Sequence, residues 1–268
     1  MLVGSIAMMI YKFLQVGYGK MGKAIVDNLD AKALGLEISI IDRNISHDET
    51  KRQYNNSKQL SKDFEPDIFL IACKPQNIQV LIDEYSEVIT SRTIVISILA
   101  GTNISYFSSC FPENPIVRLM PNLGAKIKKS TNLIYGENID SSKKELISSL
   151  SDSFGKTIWL EEERLLHAGT AVAGSGPAYY YKFLSIYSNY LIKAGFSADD
   201  AKKIAINTAE AAIETAHGED FSSLIKQVSS KGGTTEAALN SLNQDSRLEK
   251  TLDASLNEAV ARSKALSN

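Results

Sequence analysis

The stretch that decides the fold is Phe13-Leu14-Gln15-Val16-Gly17-Tyr18-Gly19-Lys20-Met21-Gly22-Lys23, a short apolar run followed by three closely spaced glycines. The spacing Gly17-x-Gly19-x-x-Gly22 is typical of a dinucleotide-binding turn between a strand and a helix. In such a turn the first glycine permits the bend, the second lets backbone approach a pyrophosphate, and the third lets helix pack on strand. Free N–H groups and the positive helix end would face the phosphates. A purely structural glycine turn is the alternative.

The residues after this turn favour nucleotide binding. Apolar side chains recur at helical spacing from Met21 to Leu29, and Gly35 is a plausible end for that helix. A second strand, Glu37–Ile41, leads to Asp42, which falls about 20 residues after the last glycine, where a ribose-binding acid is expected. Asp42 would accept hydrogen bonds from a ribose diol and repel a 2′-phosphate, whereas Arg43 could pair with that phosphate. The choice between NADH and NADPH therefore stays open at this point.

Further apolar runs predict the rest of a sheet. They are continuous rather than alternating, as in strands covered on both faces of a parallel sheet, and helix-like segments such as Ile78–Ile89 lie between them. The runs are Asp67–Cys73, Thr93–Leu99 and Pro115–Met120, with Asn132–Tyr135 and Lys156–Leu160 as additional short strands. This order predicts an α/β fold with a doubly wound, mainly parallel sheet.

In a doubly wound fold the ligand lies beyond the carboxyl ends of the strands, so the residues that follow each strand are the candidates for cofactor binding. Lys74 is expected near phosphate or ribose. The alternative is that these are ordinary loop residues, in which proline and glycine punctuate the chain. The predicted cofactor-binding residues are Gly17, Tyr18, Gly19, Lys20, Met21, Gly22, Asp42, Arg43, Ala72, Cys73, Lys74, Pro75, Ala100 and Asn122.

After Glu161–Glu163, which we expect to form an acidic first turn, the pattern becomes entirely helical. Gly174–Pro177 predicts a break and a new helix with proline at its first position. That helix, Pro177–Ala194, is apolar nearly all round and must be buried, which predicts a partner subunit. A plain intramolecular bundle is the alternative. Ser197 is expected to cap the following helix.

The most informative helical stretch is Gln227–Leu239. Two glycines, Gly232 and Gly233, free the backbone, Thr234 and Thr235 open a helix, and hydroxyl groups cluster around its positive end. The pattern predicts a second anion site, sized for a carboxylate rather than a pyrophosphate. An ordinary capped turn without a ligand would have the same sequence pattern, and it is the alternative.

Composition restricts the function further. The 268-residue chain is 44% hydrophobic and 22% charged with a net charge of −2, as in a globular protein that binds no nucleic acid. Two cysteines and three histidines without ligand spacing predict neither disulfides nor a metal site. Met1–Ile10 is apolar but too short to span a membrane, so we expect an N-terminal extension or an early start before Met9. A cytoplasmic protein with no membrane partner is expected.

Taken together, five blocks of sequence closely resemble the pyrroline-5-carboxylate reductase family. The blocks are Gly17–Gly22, Ala72–Gln76, Val117–Asn122, Gly174–Tyr179 and Ser229–Leu239. The last resembles the family signature, whereas many dehydrogenases share the first. The resemblance implies an N-terminal extension over residues 1–10, a Rossmann domain over 11–162, and an all-helical dimerisation and substrate domain over 163–268.

The family resemblance also implies an activity, which is the reduction of 1-pyrroline-5-carboxylate to L-proline with NADPH or NADH, the last step of proline biosynthesis. It implies interlocked homodimers, often assembled into larger rings, in which one subunit's cofactor domain meets the partner's helices. The substrate carboxylate is assigned to Ser230 and to amides around Gly233 and Thr234. Thr235, by its position, is assigned to the ring nitrogen as the catalytic residue, with a second role in substrate binding.

This chain departs from the family pattern at three places. Leu123-Gly124-Ala125 replaces a usual Thr-Pro-Ala, Lys231 replaces a proline, and Asp42 is atypical of enzymes that accept the phosphorylated cofactor. Two alternatives are a 3-hydroxy-acid dehydrogenase-like oxidoreductase and a non-catalytic NAD(P)-binding protein. The first would need a catalytic Lys or His in the helical domain, and Lys182, Lys193 and His217 lack a convincing setting for that role.

Overall fold

The computed structural model describes residues 10–48 and 52–267. Residues 1–9 of the predicted N-terminal extension lie outside this range. The chain divides into two compact units, one running to Gly174 and resuming at Val260, the other comprising Ser175–Ala259. No helix within the described residues has the length and apolar character needed to cross a membrane.

Eight strands among the described residues of the first unit form one sheet. The strands are β1 (Tyr11–Val16), β2 (Leu36–Ile41), β3 (Gln53–Tyr54), β4 (Ile68–Ile71), β5 (Ile94–Ser97), β6 (Ile116–Met120), β7 (Ser130–Glu137) and β8 (Gly155–Trp159). Their order is β3-β2-β1-β4-β5-β6-β7-β8, and every neighbouring pair is parallel except β6 with β7. The predicted doubly wound, mainly parallel sheet is confirmed.

Helices cover both faces of this sheet. They are α1 (Lys20–Val26), α2 (Ile78–Tyr85), α3 (Ile104–Cys110), α4 (Ser141–Asp152) and α5 (Leu165–Gly169). Along β4, Phe69 and Ile71 belong to one buried cluster, whereas Ile68 and Leu70 belong to the other. Since successive strand residues point to opposite faces, the two clusters are the two layers between sheet and helices. This double coverage explains the continuous apolar runs.

The pairing register places the ends of the central strands side by side. Val16 lies opposite Ile41 on β2 and opposite Ile71 on β4. The residues that follow these three strands therefore meet at one edge of the sheet, as the predicted cofactor site requires.

Three local predictions were wrong. The first helix ends at Val26 instead of continuing towards Gly35, because Asp30 accepts the Ala33 amide and favours a turn. Glu161–Glu163 is not a helical first turn, because α5 begins only at Leu165. In the helix after the glycine-rich break, Pro177 occupies the second position and Gly176 the first.

The second unit is entirely helical. Its helices are α6 (Gly176–Lys193), α7 (Ala198–Thr215), α8 (Phe221–Val228), α9 (Thr234–Asn243) and α10 (Arg247–Ala265), the last of which ends in the first unit. The predicted Ser197 cap is confirmed, since its Oγ accepts the Asp200 N–H at 3.1 Å. Large apolar side chains of α6 are exposed within one chain, with Tyr190 73% exposed. The helix is thus not buried by its own chain.

Residues 260–267 belong to the first unit and contact the segment that precedes α3. The Ser267 carbonyl accepts a hydrogen bond from Asn103 Nδ2 at 3.2 Å, and the Leu266 carbonyl lies so close to Gly101 that an added Cβ would be 2.3 Å away. Beside this contact, Glu163 Oε1 accepts bonds from Arg118 Nη1 and the Ile104 N–H, both at 2.7 Å. This ion pair and the hydrogen bond from Ile104 join β6, α3 and the segment that precedes α5.

Replacing Glu163 with alanine should lower the free energy of unfolding by about 2–4 kcal/mol, because it leaves the buried Arg118 guanidinium without its carboxylate. Urea unfolding at one fixed protein concentration, followed by circular dichroism, measures the change. The matched Glu162→Ala removes an acid whose partner is the exposed Arg164 and should have little effect. Equal effects of the two changes would contradict the role assigned to Glu163.

Candidate functional site

The three glycines of the β1–α1 turn each meet a different environment. Gly17 has a φ of +104°, and a Cβ there would lie 2.4 Å from the Ala72 carbonyl oxygen. A Cβ at Gly22 would lie 2.4 Å from the Gly17 oxygen, whereas a Cβ at Gly19 would meet nothing within 4 Å. The first and third glycines thus serve the fold, and the second leaves open backbone facing the cleft. This arrangement fits a bound dinucleotide.

Gln15 supports the turn from inside. Its side chain is completely buried, and Nε2 donates a hydrogen bond to the Gly17 carbonyl at 2.8 Å. No role was predicted for Gln15. The available signal was a single polar side chain in an otherwise apolar strand, directly before the glycines.

Asp42 connects the end of β2 to the glycine turn. Its Oδ2 accepts the Tyr18 N–H at 2.7 Å, and its Oδ1 accepts the Asn44 N–H at 2.8 Å. The Tyr18 hydroxyl donates to Asp27 Oδ1 at 2.7 Å, and burial together with this bond raises the pKa of Tyr18 to about 12. The Asp42 carboxylate is therefore held in one orientation, and Tyr18 is a neutral phenol.

These residues surround a cleft of about 730 Å³, a size typical of small-molecule sites. Most predicted cofactor-binding residues line it. They are Gly17, Gly19, Lys20, Met21, Gly22, Asp42, Arg43, Ala72, Cys73 and Lys74. Burial raises the pKa of the Cys73 thiol, so this side chain is a neutral wall of the cleft.

Four predicted residues are not among those that line the cleft. Tyr18 contributes its amide to Asp42, and Pro75 begins a 3₁₀ turn over Pro75–Asn77. Ala100 precedes Gly101, where the chain's last residues are bound. Asn122 holds the loop after β6, because Nδ2 donates to the Ala173 carbonyl at 3.0 Å and Oδ1 accepts the Gly124 N–H at 2.9 Å. Their roles in cofactor binding stay predictions.

Several residues of the cleft had no role assigned from the sequence. They include Asn55, Asn56, Asn77, Val80 and Glu84. Asn55 and Asn56 follow β3, a strand too short to produce a recognisable alternation. Asn44 is one of the residues that follow β2 and were expected beside the cofactor, and it lines the cleft.

The predicted second site lies in the turn between α8 and α9. Gly233 caps α9 without a side-chain hydrogen bond, and the first amides of a helix have no acceptor inside it. The Gly233 N–H donates to the Ser230 carbonyl at 3.0 Å, and a Cβ at Gly233 would lie 2.7 Å from Ser230 Oγ. The structure thus places Ser230, Gly233, Thr234 and Thr235 in one turn.

Glu236 organises this turn and was not predicted. Its Oε2 accepts the Gly232 N–H at 2.7 Å, and Gly232 has a φ of +74°. An acid near the start of a helix commonly accepts such an amide, which was the signal available in the sequence. The side chain closes the loop over the same helix end that carries the predicted anion site.

Changing Gly19 to alanine should weaken dinucleotide binding roughly tenfold or more, because the added methyl group occupies open space at the cleft where a ligand approaches the backbone. The melting temperature of the Gly19→Ala protein should equal that of the wild type. Gly22→Ala should instead cost about 1–3 kcal/mol of unfolding free energy, because its Cβ meets backbone. Fluorescence titration with NADH and thermal unfolding separate the two effects. A destabilised Gly19→Ala protein would contradict this assignment.

Two protein-family models match this chain. The family model for pyrroline-5-carboxylate reductase dimerisation matches residues 163–266, and that for NADP oxidoreductase, coenzyme F420-dependent, matches residues 12–101. The crystal structure of Plasmodium falciparum pyrroline carboxylate reductase with NADP bound has a similar fold. Its TM-score is 0.82 over 96% of this chain and 98% of that chain, at 24% identity.

Two sequence relatives are more similar. Pyrroline-5-carboxylate reductase 2 of Bacillus subtilis (strain 168) is 32% identical over 260 residues, or 92% of each chain. Pyrroline-5-carboxylate reductase of Staphylococcus aureus (strain COL) is 32% identical over 270 residues, covering 96% of this chain and 98% of the relative. Because this similarity extends over nearly the whole chain, the protein belongs to the pyrroline-5-carboxylate reductase family.

Proposed function

We propose that this protein reduces 1-pyrroline-5-carboxylate to L-proline with NAD(P)H, the last step of proline biosynthesis. The observation that carries the proposal is the Ser229–Thr235 turn, which presents hydroxyl groups and the unpaired amides at the start of α9. The same chain belongs to the family and has a cleft suited to a dinucleotide. A hydroxy-acid dehydrogenase is not favoured by the relatives of this chain. The fit of Gly17, Gly19 and Gly22 to a dinucleotide supports the cofactor.

The substrate is a cyclic imine that bears a carboxylate, so the chain must first hold an anion. The Gly233 amide is already bonded to Ser230, and it is therefore not available to the substrate. We assign the carboxylate to the Ser230 hydroxyl and to the amides of Thr234 and Thr235 at the positive end of α9. Gly233 contributes by lacking a side chain where Ser230 Oγ lies.

Thr235 is the proposed catalytic residue. It is half-buried on the first turn of α9, and its hydroxyl can donate a hydrogen bond to the ring nitrogen as that atom becomes protonated. The dinucleotide that Gly17, Gly19 and Gly22 would hold would supply the hydride for the imine carbon. An imine that is partly protonated in water needs a positioned donor rather than a strong acid, so the turn needs neither histidine nor lysine for this role.

Thr235→Ala should lower kcat by about 10²–10⁴-fold, because one positioned proton donor is lost, while the melting temperature stays near that of the wild type. Thr235→Ser keeps the hydroxyl and should recover most of the rate. Steady-state kinetics with saturating cofactor measure both variants. An unchanged kcat in Thr235→Ala would remove the catalytic role of this residue.

The activity itself is tested by following NAD(P)H absorbance with two substrate classes. Oxidation that depends on pyrroline-5-carboxylate supports the proposal. Reduction that depends on a 3-hydroxy acid would identify the alternative dehydrogenase. Tight cofactor binding without turnover on either substrate would identify a non-catalytic binding protein.

We infer that the working assembly is a homodimer formed through the helical unit, with a small-molecule substrate. The exposed apolar side chains of α6 support this, since a helix that is apolar nearly all round needs a covering surface. They include Tyr180, Tyr181, Ile186, Tyr187 and Tyr190. The net charge of −2 offers no basic excess for nucleic acid, so we propose no nucleic-acid partner, and we propose a cytoplasmic location without a membrane partner.

The paired change of Tyr187 and Tyr190 to glutamate should separate the subunits, because burying two carboxylates in an apolar contact costs several kcal/mol. Light scattering after size-exclusion chromatography gives the mass, and it also shows whether dimers assemble into larger rings. Ser149→Glu places one carboxylate on an exposed position of α4 and should leave the mass unchanged. A dimer that survives the double change would exclude this face of α6.

A further inference from the structure

We propose that Asp42 makes NADH, rather than NADPH, the preferred hydride donor of this protein. The inference rests on the proposed function in one respect, which is that the cleft beside the glycine turn binds a nicotinamide dinucleotide. It concerns the group at the adenosine 2′ position, where the two cofactors differ: a hydroxyl in NADH and a phosphate in NADPH.

The carboxylate of Asp42 is held by two backbone amides. Tyr18 donates to Oδ2 at 2.7 Å from the glycine turn, and Asn44 donates to Oδ1 at 2.8 Å from the residue after Arg43. Two bonds from different segments prevent the side chain from rotating away from the cleft that it lines. Each oxygen retains acceptor capacity, so the carboxylate can still accept hydrogen bonds from a ribose diol.

The same contacts disfavour a 2′-phosphate. A 2′-phosphate near the Asp42 carboxylate would place two negatively charged groups side by side. Their repulsion is stronger at a protein surface than in bulk water, because the effective dielectric constant is lower there. The amides of Tyr18 and Asn44 could themselves have bound a phosphate, but Asp42 already occupies both. The side chain therefore adds repulsion and removes two donors at once.

The positive charge of Arg43 would favour NADPH, but it does not reverse the preference for NADH. Arg43 is exposed and lines the same cleft. Burial raises the pKa of Tyr85, and the positive charge of Arg43 lowers it. Glu84 lines that side of the cleft as well, with its Oε1 accepting the Ser57 N–H at 3.3 Å. The cleft that Arg43 lines therefore also carries the carboxylates of Asp42 and Glu84, whose negative charges offset the attraction of the guanidinium for a phosphate.

Binding measured without substrate tests the inference. Titration calorimetry should show that the wild type binds NADH about tenfold or more tightly than NADPH, and kcat/KM with the imine should favour NADH in the same sense. Asp42→Asn removes the charge while preserving size, and it should shift the affinity ratio about tenfold towards NADPH. Asp42→Ser provides a second variant if the asparagine form unfolds.

Two further variants complete the design. Arg43→Ala should weaken NADPH binding more than NADH binding, because it removes a cation that directly follows Asp42 and lines the cleft. Asp63→Asn removes an exposed aspartate outside the cleft and should leave the affinity ratio unchanged. Tighter binding of NADPH by the wild type, or the same ratio in both Asp42 variants, would overturn the inference.

The two proposals can fail separately in this design. If NADH binds preferentially but the imine is not reduced, the proposed function fails and the role of Asp42 stands. If the imine is reduced equally well with both cofactors, the proposed function stands and the role of Asp42 fails.

Discussion

The first unit depends on the close approach of two stretches of backbone, Gly17 against the Ala72 carbonyl. A side chain at Gly17 would overlap that carbonyl, and the positive φ of the same residue directs the chain from β1 into α1. Because Val16 pairs with both Ile41 and Ile71, the approach also determines where Asp42 and the residues after β4 lie. One steric constraint thereby positions three walls of the cleft.

Local patterns predicted the parts of the fold that local forces determine. Continuous apolar runs located the strands β1, β2 and β4 to β8, because both faces of the sheet are covered, and the glycine spacing located the turn. The short strand β3 was beyond this approach, since two residues have no periodicity. Glu163 was assigned to a helix start, but its partner Arg118 is 45 residues away, and no local rule identifies such a pair. The predicted α1 was too long, because the Asp30 side chain accepts the Ala33 amide and forms a turn. Helical periodicity does not reveal such a bond.

The two proposed binding sites both lie at a helix start whose N-cap residue is glycine. Helices α4, α7 and α8 are preceded by Asp140, Ser197 and Asp220, whose side chains accept an amide of the first turn. Helices α1 and α9 are preceded by Gly19 and Gly233, and neither has a side-chain cap. Glycine spacing was sufficient to locate both helix starts. It could not reveal that Glu236 takes the Gly232 amide, because that bond depends on the left-handed conformation of the loop.

The attachment of the last helical turn to Gly101 and Asn103 has a consequence for the order of folding. The contact of Asn103 with Ser267 spans 164 residues of chain. During synthesis the sheet emerges from the ribosome long before Leu266 does, so the surface around Gly101 stays uncovered while the helical segments are made. Closing so long a loop comes late, and until then the nascent sheet presents an incomplete surface to chaperones and to neighbouring chains.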